Sequence, residues 1–183
     1  MGGAPAAAGP SISGMPARSA GLLLGVGLGG FIDGIVLHQI LQWHHMVSHV
    51  HGFGTDTVRG LQVNAMADGM FHVLAWSCVV AGSTLAVAQW RRGRLAPRWR
   101  FHFGLVLSGW GLFNLVEGLV DHHLLGIHHV RDDLGAPLAW DLGFLLVSAA
   151  LTLGGWLLYR SGVAVMRAEV SSRRSATPAA SAG

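Results

Sequence analysis

Two apolar stretches of this 183-residue chain carry the same polar pattern. Asp33, His38, His44 and His45 in the first recur as Glu117, His122, His128 and His129 in the second, 84 residues on throughout. Acids and histidines inside bilayer-crossing helix are costly, face the bundle interior and by default mark a functional site. From Leu23 to His45 against Leu107 to His129, ten of 23 positions are identical, among them Gly25/Gly109, Gly27/Gly111, Gly34/Gly118 and Val36/Val120. The helices that follow match more weakly at an offset of 73: Asp68/Asp141, Phe71/Phe144 and Gly82/Gly155. The chain therefore reads as two tandem parallel-repeat hairpins, repeat one over residues 20–90 and repeat two over 101–160. They are related by a pseudo-two-fold axis along the membrane normal, an arrangement in which sites form at the repeat interface.

The composition agrees with a membrane solvent: 51% hydrophobic, 11% charged, mean hydropathy +0.48. A helix needs about 20 apolar residues to cross the hydrocarbon core, and four stretches qualify, approximately Gly21–Trp43, Val63–Gln89, Phe101–Ile127 and Pro137–Tyr159. The expected fold is an all-α integral membrane protein, a four-helix bundle filling residues 20–160, with a disordered N-terminus over 1–19 and a disordered cytoplasmic tail over 161–183. Gly21, Gly25 and Gly29 give the first helix a smooth stripe for close approach in lipid.

All twelve basic residues are arginine. Arg18, the group from Arg91 to Arg100, and Arg160, Arg167, Arg173 and Arg174 fall on one side of a four-span chain, with only Arg59 and Arg131 on the other. The positive-inside rule makes both termini cytoplasmic. The pI of 10.4 thus reflects an arginine skirt at the lipid headgroups and excludes no more than it explains: it is not read as nucleic-acid binding. Arg18 and the apolar run after it superficially resemble a signal peptide, but no small-residue cleavage site follows. Cys78 has no partner in the chain for a disulfide.

Counting 1.5 Å per residue from the outer ends puts His38, His72 and His122 roughly 10 Å deep and Asp33 and Glu117 roughly 18 Å deep. Asp68 and Asp141 fall near the outer rim with His44, His45, His128 and His129. At about 100° per residue Asp33, His38, His44 and His45 share one broad arc of the first helix; the third repeats it and adds Asp121. Leu145 stands where His72 would recur. Imidazoles and carboxylates on facing helices are the donor set for Zn, Fe or Cu in bundle cores. The candidate ligands are His38, His72 and His122 with Asp68 or Asp141, joined at the rim by His45 and His129. Asp33, Glu117 and Asp121 serve as deep ligands or proton acceptors. Rim histidines are also explained by hydration alone, and the whole set by a polar network that binds nothing. A haem between His38 and His122 is the weaker cofactor reading, because the surrounding carboxylates suit a hard ion better.

The run GFIDGIVLHQILQWHHM (Gly30–Met46), with ADGMFH at Ala67–His72 and WDLGF at Trp140–Phe144, resembles an uncharacterised bacterial membrane-protein family, domain of unknown function twenty-two forty-three, over about residues 20 to 160. The resemblance implies a multi-pass protein of the bacterial inner membrane with four helices, and no reaction. The functional expectation is transition-metal binding in the outer half of the bundle, for metal handling or assembly of a respiratory metalloenzyme. Two other classes compete: a proton or cation relay through Asp33 and Glu117, and a membrane metal-dependent oxidoreductase or hydrolase. The lipid bilayer is the certain partner; four short spans also leave room for a homo-oligomer or a respiratory complex.

Overall fold

The computed structural model describes residues 17–176, and every regular element among them is helical. Helix α1 (Ser19–Ile32) runs into a π-helical segment (Asp33–Ile40). Helix α2 spans Val58–Arg91. Helix α3 (Trp99–Glu117) runs into a second π-helical segment (Gly118–Leu124), and a 3-10 turn (Asp132–Leu134) leads into α4 (Leu138–Ala176). Four stretches, Ser19–Ile40, Val58–Arg91, Trp99–Leu124 and Leu138–Arg173, are long and apolar enough to cross a membrane.

The burial pattern explains why these helices need lipid. Leu74, Trp90 and Leu146 are 68%, 68% and 72% exposed, whereas the interior holds glycines, histidines and acids. In water such an outer surface would drive association; in a bilayer it is the solvated face, and only the backbone and polar side chains must find internal partners.

Glycine decides which helices meet. A side chain on Gly25 of α1 would collide with the Val106 carbonyl and lie 2.8 Å from the α-carbon of Gly109 on α3, so these two equivalent glycines mark the crossing of the two central helices. Two residues further along, Gly27 seats α1 against Ala75 and Val79 of α2, and Gly111 seats α3 against Ser148 and Thr152 of α4. Among the described residues α2 packs on α1, α4 packs on α3, and α2 and α4 do not approach each other. The bundle is thus two hairpins joined along α1 and α3, with small residues allowing the close contact that dispersion rewards in lipid.

At the end remote from His44 and His128, Phe101, Leu105, Tyr159, Val163 and Met166 form a buried apolar cluster. The Arg18 guanidinium sits 5.1 Å from the Tyr159 ring centroid, and Arg98 pairs with Glu169.

Two expectations change. The tail expected to be disordered from residue 161 is helical through Ala176, because Val163 and Met166 belong to that buried cluster and Glu169 has an arginine partner. The expected disorder of residues 1–16 and 177–183 lies outside the described residues. The first and third spans also stop early, at Ile40 and Leu124 instead of Trp43 and Ile127. The chain turns there through Gln42 and Gly126, both left-handed with φ of 51° and 58°.

Candidate metal centre

Those turns build the site. Over Asp33–Ile40 and Gly118–Leu124 the helix widens to the π form, a local feature frequent at functional sites, and it closes with equivalent bonds: Leu41 N–H to Val36 O and Leu125 N–H to Val120 O, both 2.8 Å. Trp43 N–H to Leu37 O and Ile127 N–H to Asp121 O, both 3.0 Å, fold the chain over the left-handed residue. The sequence beyond doubles back into the bundle instead of continuing outward. His44 and His128 arrive 2% and 0% exposed.

The re-entrant loops then lock onto each other. His44 Nδ1–H donates to Val130 O and His128 Nδ1–H donates to Met46 O, each at 3.1 Å. Their rings stack with centroids 4.8 Å apart and planes 4° from parallel. Further out, His49 N–H donates to Ile127 O at 3.0 Å, Asp133 N–H to Trp43 O at 3.2 Å, and the Ser48 hydroxyl to Asp132 Oδ2 at 2.6 Å. Arg131 stands over both Trp43 and Trp140, 4.4 and 5.0 Å from their centroids.

Two buried carboxylates orient the imidazoles from behind. Asp68 of α2, 1% exposed, accepts from His38 Nδ1 (2.9 Å), His45 Nδ1 (2.7 Å), Met46 N–H (2.9 Å) and Gln39 Nε2 (3.1 Å). Asp141 of α4, also 1% exposed, accepts from His129 Nδ1 (2.7 Å) and Val130 N–H (2.9 Å), with His122 Nδ1 3.5 Å away. A carboxylate or carbonyl accepting at Nδ1 fixes the tautomer and turns the Nε2 lone pair the other way, the usual preparation of a metal-ligating histidine.

The freed Nε2 atoms converge on Asp33 and Glu117, which are 4% and 5% exposed. His38 Nε2 lies 3.2 Å from Asp33 Oδ2; His128 Nε2 and His122 Nε2 lie 3.2 and 3.6 Å from Glu117 Oε1. An imidazole that donates from Nδ1 and faces a carboxylate through Nε2 needs a positive particle between the two lone pairs, either a second proton or a metal ion. His44 Nε2, His38 Nε2, His122 Nε2, both Asp33 oxygens and Glu117 Oε2 are buried without a hydrogen-bond partner. Such orphaned atoms in a low-dielectric interior each cost roughly 1–3 kcal/mol, more when charged. The His44 imidazole is held well below its ordinary pKa by burial first, then by the neighbouring His128 and His38 rings. It presents a lone pair, not a charge.

Three triads of donor atoms lie within 4.8 Å of one another: His38, His44 and His128; Glu117, His122 and His128; Asp33, His44 and Glu117. Of the sequence candidates, His38, His122, Asp33 and Glu117 come together here. Asp68, Asp141, His45 and His129 stand one layer out as orienting groups. Asp121 is half-buried and serves the turn through its carbonyl. His72 joins no triad among the described residues; its Nε2 faces Gly34 of the first π-helical segment, and its ring lies beside Phe31 and Phe71. His44 and His128 were placed at the hydrated rim by counting along a continuous α-helix. The π segment and the left-handed turn invalidate that count. A signal that could have found them is the histidine pair preceded at two residues by a glutamine or glycine in both halves.

A pocket of about 490 Å³ is lined by His44, His45, His49, Asp56, Asp132 and Asp133 among others, and of the six donor residues it borders His44. A family model described as predicted membrane protein (DUF2243) matches residues 20–162. No curated protein and no solved structure matches the chain.

Proposed function

The chain belongs to the DUF2243 family of predicted membrane proteins, and from its buried cluster of histidines and acids we propose that it binds a transition metal within its bundle. The donors are His38, His44, His122 and His128 through Nε2, with the Asp33 and Glu117 carboxylates. One observation carries the reading. Six side chains from both hairpins turn buried, mostly unpartnered donor atoms toward one another, while other protein groups accept from the Nδ1 of His38, His44 and His128 on the far side. A polar network that only bound the helices together would satisfy these atoms itself. Nitrogen and oxygen donors of this kind suit Zn, Fe or Cu over soft Cu(I). A haem fits poorly, because the stacked His44 and His128 rings occupy the space between His38 and His122, with centroids 4.4 Å from His38 and 4.8 Å from His122 respectively.

We place the centre on the outer face of a bacterial inner membrane, with both termini cytoplasmic, on the arginine distribution. That position suits metal handling or delivery to a respiratory metalloenzyme, and the pocket beside His44 offers the ion a route. A proton or cation relay is less well supported: no acid or histidine lies within Ser19–Ile32, Val73–Arg91, Phe103–Val116 or Leu142–Tyr159, so the polar row ends at Asp33 and Glu117.

Elemental analysis of detergent-purified protein tests the reading. Zinc, iron or copper bound to the parent and to a His72→Leu control, and lost from a His38→Ala/His122→Ala variant of equal helicity, is the expected result. No metal in the parent after reconstitution overturns it.

A further inference from the structure

The donor atoms are too many and too spread for one ion. Nitrogen and oxygen ligands sit about 2.0–2.2 Å from zinc, so two ligands of one ion are at most about 4.4 Å apart. Among the described residues the donors meet a 4.8 Å mutual limit only three at a time. A single ion therefore reaches three of the six side chains and leaves the other three outside its coordination. The donors also divide by hairpin: Asp33, His38 and His44 from the first, Glu117, His122 and His128 from the second. The second set is itself a triad; in the first, Asp33 lies 3.2 Å from His38 Nε2, and His44 shares triads with each. Glu117 belongs to its own triad and to that of Asp33 and His44, the position of a carboxylate shared between two ions.

Charge points the same way. Four carboxylates, Asp33, Asp68, Glu117 and Asp141, are each 5% exposed or less, and buried charge is tolerated only when compensated. Two divalent cations supply the four positive charges they need. One leaves two of the negative charges to be balanced by protons on the imidazoles or carboxylates instead.

We propose that the site is dinuclear, taking two divalent transition-metal ions, one in the triad of Glu117, His122 and His128 and the other in that of Asp33, His44 and Glu117, with Glu117 shared between them. This rests on the metal-binding reading above and extends it from a site to a stoichiometry.

The test loads the chelator-treated, detergent-solubilised protein with Mn(II) alone or, in a parallel sample, Zn(II) alone, removes unbound ion by gel filtration, and measures ions per chain together with the electron paramagnetic resonance spectrum of the Mn(II) sample. The expected result is two ions per chain with a spectrum altered by exchange coupling through the shared carboxylate, reverting to an uncoupled spectrum in Glu117→Gln. One ion per chain overturns the dinuclear assignment and leaves the single-ion reading standing. Two ions with an uncoupled spectrum overturn the role of Glu117. If neither Mn(II) nor Zn(II) is retained, the metal-binding reading itself falls. The count on the unaltered chain decides between these outcomes even if the Glu117 variant does not fold.

Discussion

His44 and His128 lie face to face at 4.8 Å, and each donates its Nδ1–H into the other's hairpin, to Val130 O and Met46 O. Each ring is positioned by the half of the protein it does not belong to. Replacing either by alanine removes a donor and also orphans a buried carbonyl. Metal affinity is expected to fall by more than the roughly 10- to 100-fold typical of losing an outer partner, whichever histidine is changed. Isothermal titration with zinc checks this; an effect confined to one of the two would contradict the shared construction.

Asp68 accepts four hydrogen bonds and Asp141 two. Asp68→Asn leaves several buried donors competing for one neutral oxygen and is expected to destabilise the protein by about 1–3 kcal/mol. It should also weaken metal binding roughly 10- to 100-fold. Asp141→Asn should do less of both. Equal effects in thermal unfolding and metal titration would show that the asymmetry of the hydrogen bonding has no energetic weight.

The α1–α3 crossing leaves no room at Gly25 or Gly109. Gly25→Val forces the backbones apart and is expected to cost about 1–3 kcal/mol as an overpacked contact. It should lower metal retention as well, since the donors of both hairpins meet further along the same two helices. Gly143→Ala, where an added carbon meets nothing within 4 Å, should change neither. Thermal melts with metal analysis on both variants decide it.

The pH dependence of the metal-free protein follows from His44. Its folded-state pKa is lowered from 6.5 by burial and by the adjacent imidazoles. Above pH 6.5 the residue is neutral in both folded and unfolded chains and contributes no pH dependence. Below 6.5 the unfolded chain takes a proton that the folded one resists, so stability declines with acidification, by up to about 1.4 kcal/mol per pH unit from this residue. His44→Gln should flatten the decline between pH 6.5 and 5.5 relative to the parent. An unchanged slope in chemical denaturation would refute the assignment.

Gln42 holds a left-handed conformation that its counterpart Gly126 adopts freely. Gly126→Ala is expected to cost about 1–2 kcal/mol, and Gln42→Gly to be neutral or mildly stabilising. The reverse order in thermal unfolding would mean that the side chain of Gln42, not its backbone, matters to the turn.

Most of the architecture was legible because apolar length and the 84-residue pattern report directly on spans and hairpin pairing. Gly25 and Gly109 stood out as matched small residues, and they prove to be the crossing point. The convergence of Asp33, His38, Glu117 and His122 was legible for the same reason. The rest depended on a backbone irregularity that periodicity does not encode. A regular α-helix through Trp43 keeps His44 at the membrane surface, whereas a π segment ended by a left-handed residue turns it inward. His72 misled in the opposite sense: its four-residue spacing from Asp68 suggested a shared ligand face, yet its Nε2 faces Gly34 while Asp68 gathers His38 and His45.

Because each re-entrant loop is tied down by the other, the first hairpin cannot finish its centre when it is made. The residues equivalent to Asp33, His38 and His44 leave the ribosome 84 positions later, an interval of about 4–17 s at roughly 5–20 residues per second. For that time a buried acid and two histidines stand in the translocon or bilayer without their counterparts. Synthesis of this chain therefore includes a defined window in which these three groups lack the second hairpin that encloses them.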